Sequence, residues 1–380
     1  MPARVRELDV LRGSLLLWMT LTHLPTRISA YSNQVAGYVS AAEGFIFLAA
    51  FFTGQMCLST TTHEGRASII RKLWQRTLRI YRYHLGLLAV AFTFGGVAAA
   101  RLHSVPLANL LNFYLRHPKV ALVAAPSLLY NPPLLDILPV YIVFMLLTPA
   151  LCWAIEKWGW PATLAVSAFV WLLAQFHLRI RLHHIAVSLG FPIPLNQAGA
   201  FDLFAWQFLW TIGLVLGTLG PAARRSGARI SGRLLMPCVA IAVILFVCRH
   251  AAFDRLVGPT LFDILVDKWR LGILRLVDFA AIGIILAKYG PRLAATRLGD
   301  GLVPLGRASL EVFSAHVLFC LLVLGFGKGP DPHFAWWQDA IVVTATLTGL
   351  FVIADLVVKR RMRYRRNAIP LSWAPELLAR

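Results

Sequence analysis

Apolar runs recur along the whole chain with polar breaks between them, at about 10–28, 39–59, 83–100, 136–155, 160–177, 201–219, 234–250, 271–288, 308–326 and 338–358. Each approaches the ~20 residues an α-helix needs to cross the hydrocarbon core of a bilayer. The pattern predicts an all-α, polytopic membrane helix bundle of about ten transmembrane helices, one domain over residues 1–366 followed by a tail over 367–380. No repeat at a fixed period runs through it, which weighs against a transporter built from duplicated halves. Gly213 and Gly217 form a GxxxG pair, the spacing that lets two helices approach closely. The longest segments between runs are 60–82, 101–135 and 178–200. The last two contain "HPKVALVAAPSLLYNPP" and "SLGFPIPLNQAG", whose prolines and glycines exclude long helices. They form either a lid or ordinary connections.

Composition agrees with the pattern. The 380 residues are 58% hydrophobic and only 14% charged, against roughly 25% charged in soluble domains. The net charge of +20 raises the question of nucleic acid, and the placement of the 37 Lys and Arg answers it. With the N-terminus inside, most of them fall in inner loops and at the C-terminal end, as the positive-inside rule requires. Both termini are therefore expected in the cytoplasm, and no nucleic-acid partner is expected. The basic stretch "VVKRRMRYRR" (Val357 to Arg366) is expected to meet anionic lipid headgroups. The five cysteines lie in apolar runs without CxxC spacing, as buried packing residues do. The first run follows basic residues, as a signal peptide would, but it is longer than a signal core and reads as a retained helix.

Charged and titratable residues inside the runs are what this picture leaves unexplained. "LRGSLLLWMTLTHLPTRISA" (Leu11 to Ala30) carries His23 in otherwise apolar surroundings. Arg12 and His23 are separated by 11 positions, so on a helix they lie within ~20° of one another and ~16 Å apart along the axis. Asp9 sits one turn from Arg12 and can pair with it. Glu43 and His316 fall at a depth similar to His23, toward the outer side. Asp136 and Asp202 open inward-running helices there, and Arg275 and Asp278 lie in the outer half of theirs. Charged groups within a membrane usually face the bundle interior and mark a site or pathway, although structural pairing or a hydrogen-bonded core histidine explains any one of them alone. On the inner side, Lys72, Arg76, Arg79 and Tyr83 recur along one helix stripe of "RKLWQRTLRIYRYHLG", with Arg82 nearby. Such a stripe contacts lipid headgroups or holds a polyphosphate.

A ligand that joins both clusters has a phosphorylated head and a thin reactive arm, which describes an acyl-coenzyme A. Its phosphates suit Arg76 and Arg79, with Arg12 and Arg82. Its thioester then meets His23, where an imidazole acts as base or transient acyl carrier, with Glu43 setting its tautomer. His316 and Asp136 are further candidates for positioning an acceptor. The histidines show no HxxxH spacing and no paired Cys, so no metal is expected.

The segments "ELDVLRGSLLLWMTLTHLP", "AAEGFIFLAAFFTG", "RTLRIYRYHLGLL", "LLDILPVYIVFMLLTPAL", "FDLFAWQFLWTIGLVLG" and "PLGRASLEVFSAHVLF" resemble the OpgC family over roughly Arg4 to Arg366. Those proteins are succinyltransferases of osmoregulated periplasmic glucans, related to the type-three membrane acyltransferases. The resemblance implies a multi-pass enzyme of the bacterial inner membrane, with succinyl-CoA as donor, a periplasmic glucan hydroxyl as acceptor and membrane lipid around it. It implies that His23 corresponds to the active-site histidine and Arg76 with Arg79 to an Arg-x-x-Arg motif. The sequence departs from the family at "FLAAF" (Phe47 to Phe51), where a Ser-Gly pair is expected in place of Ala49-Ala50, a change that bears on acyl or acceptor preference. Three alternatives stay open: another acyl group moved onto a different polysaccharide, a transporter using the same buried charges, and a non-enzymatic assembly component.

Overall fold

The computed structural model describes residues 5–61, 65–220, 230–251, 259–327 and 334–367, and among these every regular element is helical. The chain runs through α1 (Arg6–His23), α2 (Arg27–Ser32), α3 (Ala41–Thr61) and α4 (Arg66–Val90). A π turn (Ala91–Gly95) leads into α5 (Gly96–Arg101). Then come three short helices, α6 (Val105–Leu110), α7 (Asn112–Arg116) and α8 (Pro118–Ala124). The long α9 (Ile137–Gln175) is followed by α10 (Leu178–Ser188), α11 (Leu203–Thr218), α12 (Gly232–His250) and α13 (Pro259–Val266). The last four are α14 (Ile273–Ala294), α15 (Arg297–Arg307), α16 (Ser309–Gly325) and α17 (Trp336–Asn367).

Each of the ten apolar runs falls on a helix. Five helical stretches are long and apolar enough to cross a membrane: Ala41–Leu58, Arg66–Arg101, Ile137–Gln175, Gly232–His250 and Trp336–Tyr364. The bent pair α15 and α16 would make a sixth. The runs at 136–155 and 160–177 are the two arms of α9, which breaks at Gly159, where φ is 80° and ψ is 160°. Of the other runs, that of α11 makes a helix of only 16 residues, and α1 and α14 have their apolar character interrupted by charges. The tail from residue 368 onward lies outside the described residues.

The first run ends earlier than its hydropathy suggests. Helix α1 stops at His23 because Pro25 disfavours a helical conformation at Leu24, whose backbone is extended at ψ 131°. His23 therefore sits at a helix end rather than within one. From there α1 descends through the middle of the fold, touching α3, α14, α15 and α16. Its contact with α15 is nearly backbone on backbone. A Cβ on Gly306 would lie 1.9 Å from the Asp9 carbonyl oxygen, and one on Gly13 would lie 2.3 Å from that of Leu302. Helix α15 meets α16 at 86°, so what reads as one apolar run is preceded by a helix turned across it.

The GxxxG pair packs as its spacing predicts. Helix α11 lies on α3, where a Cβ on Gly217 would come within 2.2 Å of the Phe51 carbonyl oxygen and one on Gly213 within 2.7 Å of that of Phe47. Ala49 and Ala50 are fully buried, and Ala50 faces Gly213. The departure at "FLAAF" is thus a matter of helix packing. Cys57 of α3 and Cys152 of α9 approach to 3.3 Å, and all five cysteines are free.

Two glycine substitutions test this packing. Gly217→Ala is expected to lower stability by about 1–3 kcal/mol, because the added methyl forces α3 and α11 apart. Gly283→Ala, on α14 with nothing within 4 Å of its Cβ position, removes a helix-interior glycine that is worse than alanine by about 1 kcal/mol. Thermal unfolding of the two variants in detergent should shift in opposite directions.

Candidate active site

Four helices, α1, α3, α4 and α16, establish two levels in the bundle. At one, Arg12 of α1 stacks over the Phe52 ring of α3, its guanidinium carbon 4.2 Å from the centroid. Next to it, Arg76 of α4 donates through Nη1 to Thr53 Oγ1 at 3.1 Å. At the other, His23 ends α1, Glu43 lies in the first turn of α3, and His316 sits two turns into α16. Helices α1 and α3 run in opposite directions, so residues at opposite ends of their sequences share a depth.

At the first level a cavity of about 190 Å³ opens, several times the ~30 Å³ share of one water. Its basic wall is Arg12, Arg76, Arg79, Arg307 and Arg361. Glu311, in the first turn of α16, holds part of this wall together. Its Oε1 accepts from Arg79, from Arg361 at 2.7 Å and from the Tyr83 hydroxyl at 3.3 Å. Asp9 pairs with Arg307 at 3.5 Å, so five guanidinium groups meet two carboxylates and the cavity stays cationic. The other end of the cavity is apolar, formed by Phe45, Tyr141 and Phe313. Tyr141 donates to the Phe45 carbonyl at 2.6 Å, and the Phe45 and Phe313 rings are 6.2 Å apart.

Phe313 joins the two levels. Its ring lines the arginine cavity, and its carbonyl, 2.7 Å from His316 Nδ1, carries the histidines. A carbonyl only accepts, so His316 holds its proton on Nδ1. In the neutral ring Nε2 is then an acceptor, and it lies 3.1 Å from His23 Nδ1. His23 therefore donates from Nδ1, which leaves its Nε2 with a bare lone pair. The two rings stack with centroids 5.4 Å apart. His316 is wholly buried, whereas His23 keeps partial exposure. The outcome is an imidazole whose tautomer is set through two hydrogen bonds and whose reactive nitrogen is free.

Glu43 does not supply that orientation, contrary to what its depth suggested. It is the last residue of a capping box, "SAAE", in which the Ser40 N–H donates to Glu43 Oε2 at 3.0 Å and the Ser40 hydroxyl donates to the same atom. Its Oε1 accepts from Arg275, with Nε at 2.9 Å and Nη2 closer still. Both partners are almost fully buried. Asp278, one turn along α14 from Arg275, accepts from the Tyr38 N–H at 2.7 Å and closes against Gly37, where any Cβ would meet its Oδ2 at 2.5 Å. The capping requirement and Arg275 together use the carboxylate fully, so the partner of His23 is His316.

Asp136 occupies the N-cap position of α9 without a side-chain bond to that helix, its Oδ2 instead accepting from the Ala200 N–H at 3.3 Å. There the two outer segments meet, since the Asn131 N–H donates to the Gln197 carbonyl at 2.9 Å and Arg179 donates to four successive carbonyls from Ala198 to Phe201. They are tied into one outer layer rather than serving as independent connections. Asp202 caps α11 through the Phe204 N–H. Arg82 is exposed and does not line the cavity, because it lies off the face shared by Arg76, Arg79 and Tyr83. Lys72, a turn earlier on the stripe, is likewise outside it.

Sequence reasoning missed Arg307, Arg361 and Lys268. Arg307 ends α15, whose crossing of α16 no hydropathy pattern reveals. Arg361 belongs to the basic stretch expected at lipid headgroups, yet it turns inward to Glu311 and the Arg307 carbonyl at 2.7 Å. Lys268 sits in the turn between α13 and α14. Burial holds its ammonium below the usual lysine range, with Glu43 and Asp136 working in the opposite direction, and its field reaches His23. Its one sequence signal is an isolated lysine in the short polar break between two apolar runs.

A family model described as OpgC protein matches residues 4–362. No curated protein and no solved structure matches the chain. The matched span takes in every residue of the histidine pair, the arginine cavity and the Glu43–Arg275 pair. The chain belongs to the OpgC protein family, and its function is of the membrane-associated acyltransferase type.

Proposed function

We propose that this protein is a ten-span O-acyltransferase of the bacterial inner membrane, with both termini in the cytoplasm. It moves an acyl group, succinyl above others, from coenzyme A on the cytoplasmic side to a hydroxyl of a periplasmic glucan. The observation that carries this reading is the double role of Phe313. One residue is both the apolar end of a five-arginine cavity and the anchor of an imidazole with a free basic nitrogen. A polyanion held at the arginines and a group reacting at His23 are therefore separated by a single layer of aromatic rings.

In the proposed reaction the donor's phosphates sit among Arg12, Arg76 and Arg79, with Arg307 and Arg361 completing the wall. Guanidinium suits this role because it stays charged and can bind phosphate oxygens in pairs. The thin arm of the donor passes Phe45, Tyr141 and Phe313 and brings the thioester to the histidine level. His23 Nε2 takes the proton of the acceptor hydroxyl as the oxygen attacks the thioester carbonyl. The carbon–sulfur bond breaks, the ester forms, and the departing thiolate takes the proton back from His23. Products are the acylated glucan and free coenzyme A thiol. His316 keeps its Nδ1 proton on the Phe313 carbonyl throughout and supports the transient imidazolium of His23 by accepting from its Nδ1–H. Glu43 with Arg275 holds the outer ends of α3 and α14 around this centre.

Two sets of variants test the scheme, measured as thiol release and ester formation by the purified protein in lipid nanodiscs. His23→Ala is expected to lower kcat by about 10²–10⁴-fold, the usual contribution of a positioned base. His316→Ala should lower kcat while leaving KM for the acyl donor near its wild-type value, since it acts through His23. Wild-type turnover by His23→Ala would end the proposal. Separately, Arg76→Ala and Arg79→Ala should each raise KM for the donor by about tenfold or more, from the loss of a charge-assisted bond. Arg82→Ala, outside the cavity, should leave KM unchanged; an equal effect at all three positions would mean that the stripe senses only general charge.

A further inference from the structure

The turn that carries Lys268 is built with unusual rigidity. Within it, Asp267 Oδ1 accepts from the N–H groups of Trp269 at 2.6 Å and Arg270 at 3.0 Å, and Asp267 Oδ2 takes Arg270 Nε at 2.9 Å. From outside, three successive carbonyls are pinned by neighbouring helices. The Trp269 carbonyl accepts from Trp206 Nε1 at 3.0 Å, that of Arg270 from Gln175 at 2.8 Å, and that of Leu271 from Trp171 Nε1 at 3.0 Å. Leu271 is fully buried in the left-handed region at φ 54°, a conformation that needs such support. A loop that only joined two helices would not need this many ties.

What the rigid turn presents is a half-buried ammonium with no hydrogen bond or ion pair among the described residues. The Lys268 Nζ lies 5.0 Å from the Trp269 ring and interacts electrostatically with Glu43, Asp136 and His23. Neither nearby carboxylate forms an ion pair with it: Glu43 is taken by Arg275 and the Ser40 cap, and Asp136 accepts from the Ala200 N–H and acts on Lys268 only at a distance. Keeping a cation partly out of water without a close counter-ion is costly, and an anion arriving with a substrate would offset that cost.

We propose that Lys268 is a specificity-determining residue that binds the distal carboxylate of a dicarboxylic acyl group while its thioester end is at His23. The inference rests on the transferase reading above and deepens it by naming the residue that selects the acyl group. A neutral acyl chain of the same length gains nothing from Lys268, and an acetyl group carries no carboxylate to pair with it. Selection by charge pairing also explains why Lys268 is kept apart from Glu43, since an internal ion pair would compete with the incoming carboxylate.

The test compares succinyl-CoA, butyryl-CoA and acetyl-CoA with the full-length protein in nanodiscs, each with a glucan acceptor. Lys268→Met, close in length and uncharged, is expected to lower kcat/KM for succinyl-CoA by about tenfold or more and to leave the butyryl and acetyl rates within about twofold. Lys268→Arg should restore much of the succinyl preference. The uncharged donors serve as the internal measure of folding. An equal fall for all three donors, or no fall for any, overturns the assignment of Lys268 while leaving the transferase reading intact. A wild-type protein that transfers no acyl group from any donor overturns that reading and this assignment with it.

Discussion

The Glu43–Arg275 pair is the interaction on which the arrangement of the outer half depends. Both side chains are almost completely removed from solvent, and losing one partner of such a pair leaves an uncompensated buried charge, at a cost of about 3–5 kcal/mol. The pair couples the first turn of α3 to α14, and its carboxylate also caps α3 through Ser40. Asp278 extends the connection to the backbone of Tyr38. The segment entering α3, the start of α3 and the outer part of α14 are therefore set by one charge network. Helix α1 passes beside it, so His23 meets a wall whose position does not drift.

The network also explains why the histidines pair with each other. A carboxylate on His23 would make it a stronger base, but the carboxylates nearest this site are committed elsewhere: Glu43 to Arg275, Asp278 through Oδ2 to the Tyr38 N–H and Asp136 through Oδ2 to the Ala200 N–H. What remains for His23 is a neutral acceptor, the Nε2 of a wholly buried imidazole whose other nitrogen is bound to a backbone carbonyl. That chain sets the tautomer without adding a charge beside the reacting group.

Helices were readable from the chain, and their rotation was not. The apolar runs fell on helices because hydropathy reports helix length, and His23 and His316, both counted toward one end of their runs, meet in the structure. The S-x-x-E pattern at Ser40–Glu43 was also open to reading, as a cap that already commits its carboxylate. Which faces of α1, α3 and α14 meet depends on contacts between distant segments, so depth alone suggested Glu43 as the partner of His23. Pro25 ends α1 five residues before its hydropathy does, which only local backbone sterics predict. The 86° corner between α15 and α16 has no periodic signature at all, and it delivers Arg307 and Glu311 to the cavity.

The aromatic layer between the two levels resolves a conflict inherent in chemistry across a membrane. An open bore wide enough for a coenzyme arm would also pass water and protons, dissipating the gradient across the membrane. Phe45, Tyr141 and Phe313 close the apolar end of the cavity with side chains rather than backbone, so the path can open by rotation about side-chain bonds without moving a helix. Tyr141 is held to the Phe45 carbonyl, which fixes one side of the layer, while the Phe313 ring is attached to the same residue that orients His316. In the proposed reaction a donor arm entering past that ring would reach the residue whose carbonyl anchors the histidine pair, and the close packing of α1 on α15 at Gly13 and Gly306 joins the helix that carries both Arg12 and His23 to the helix that carries Arg307.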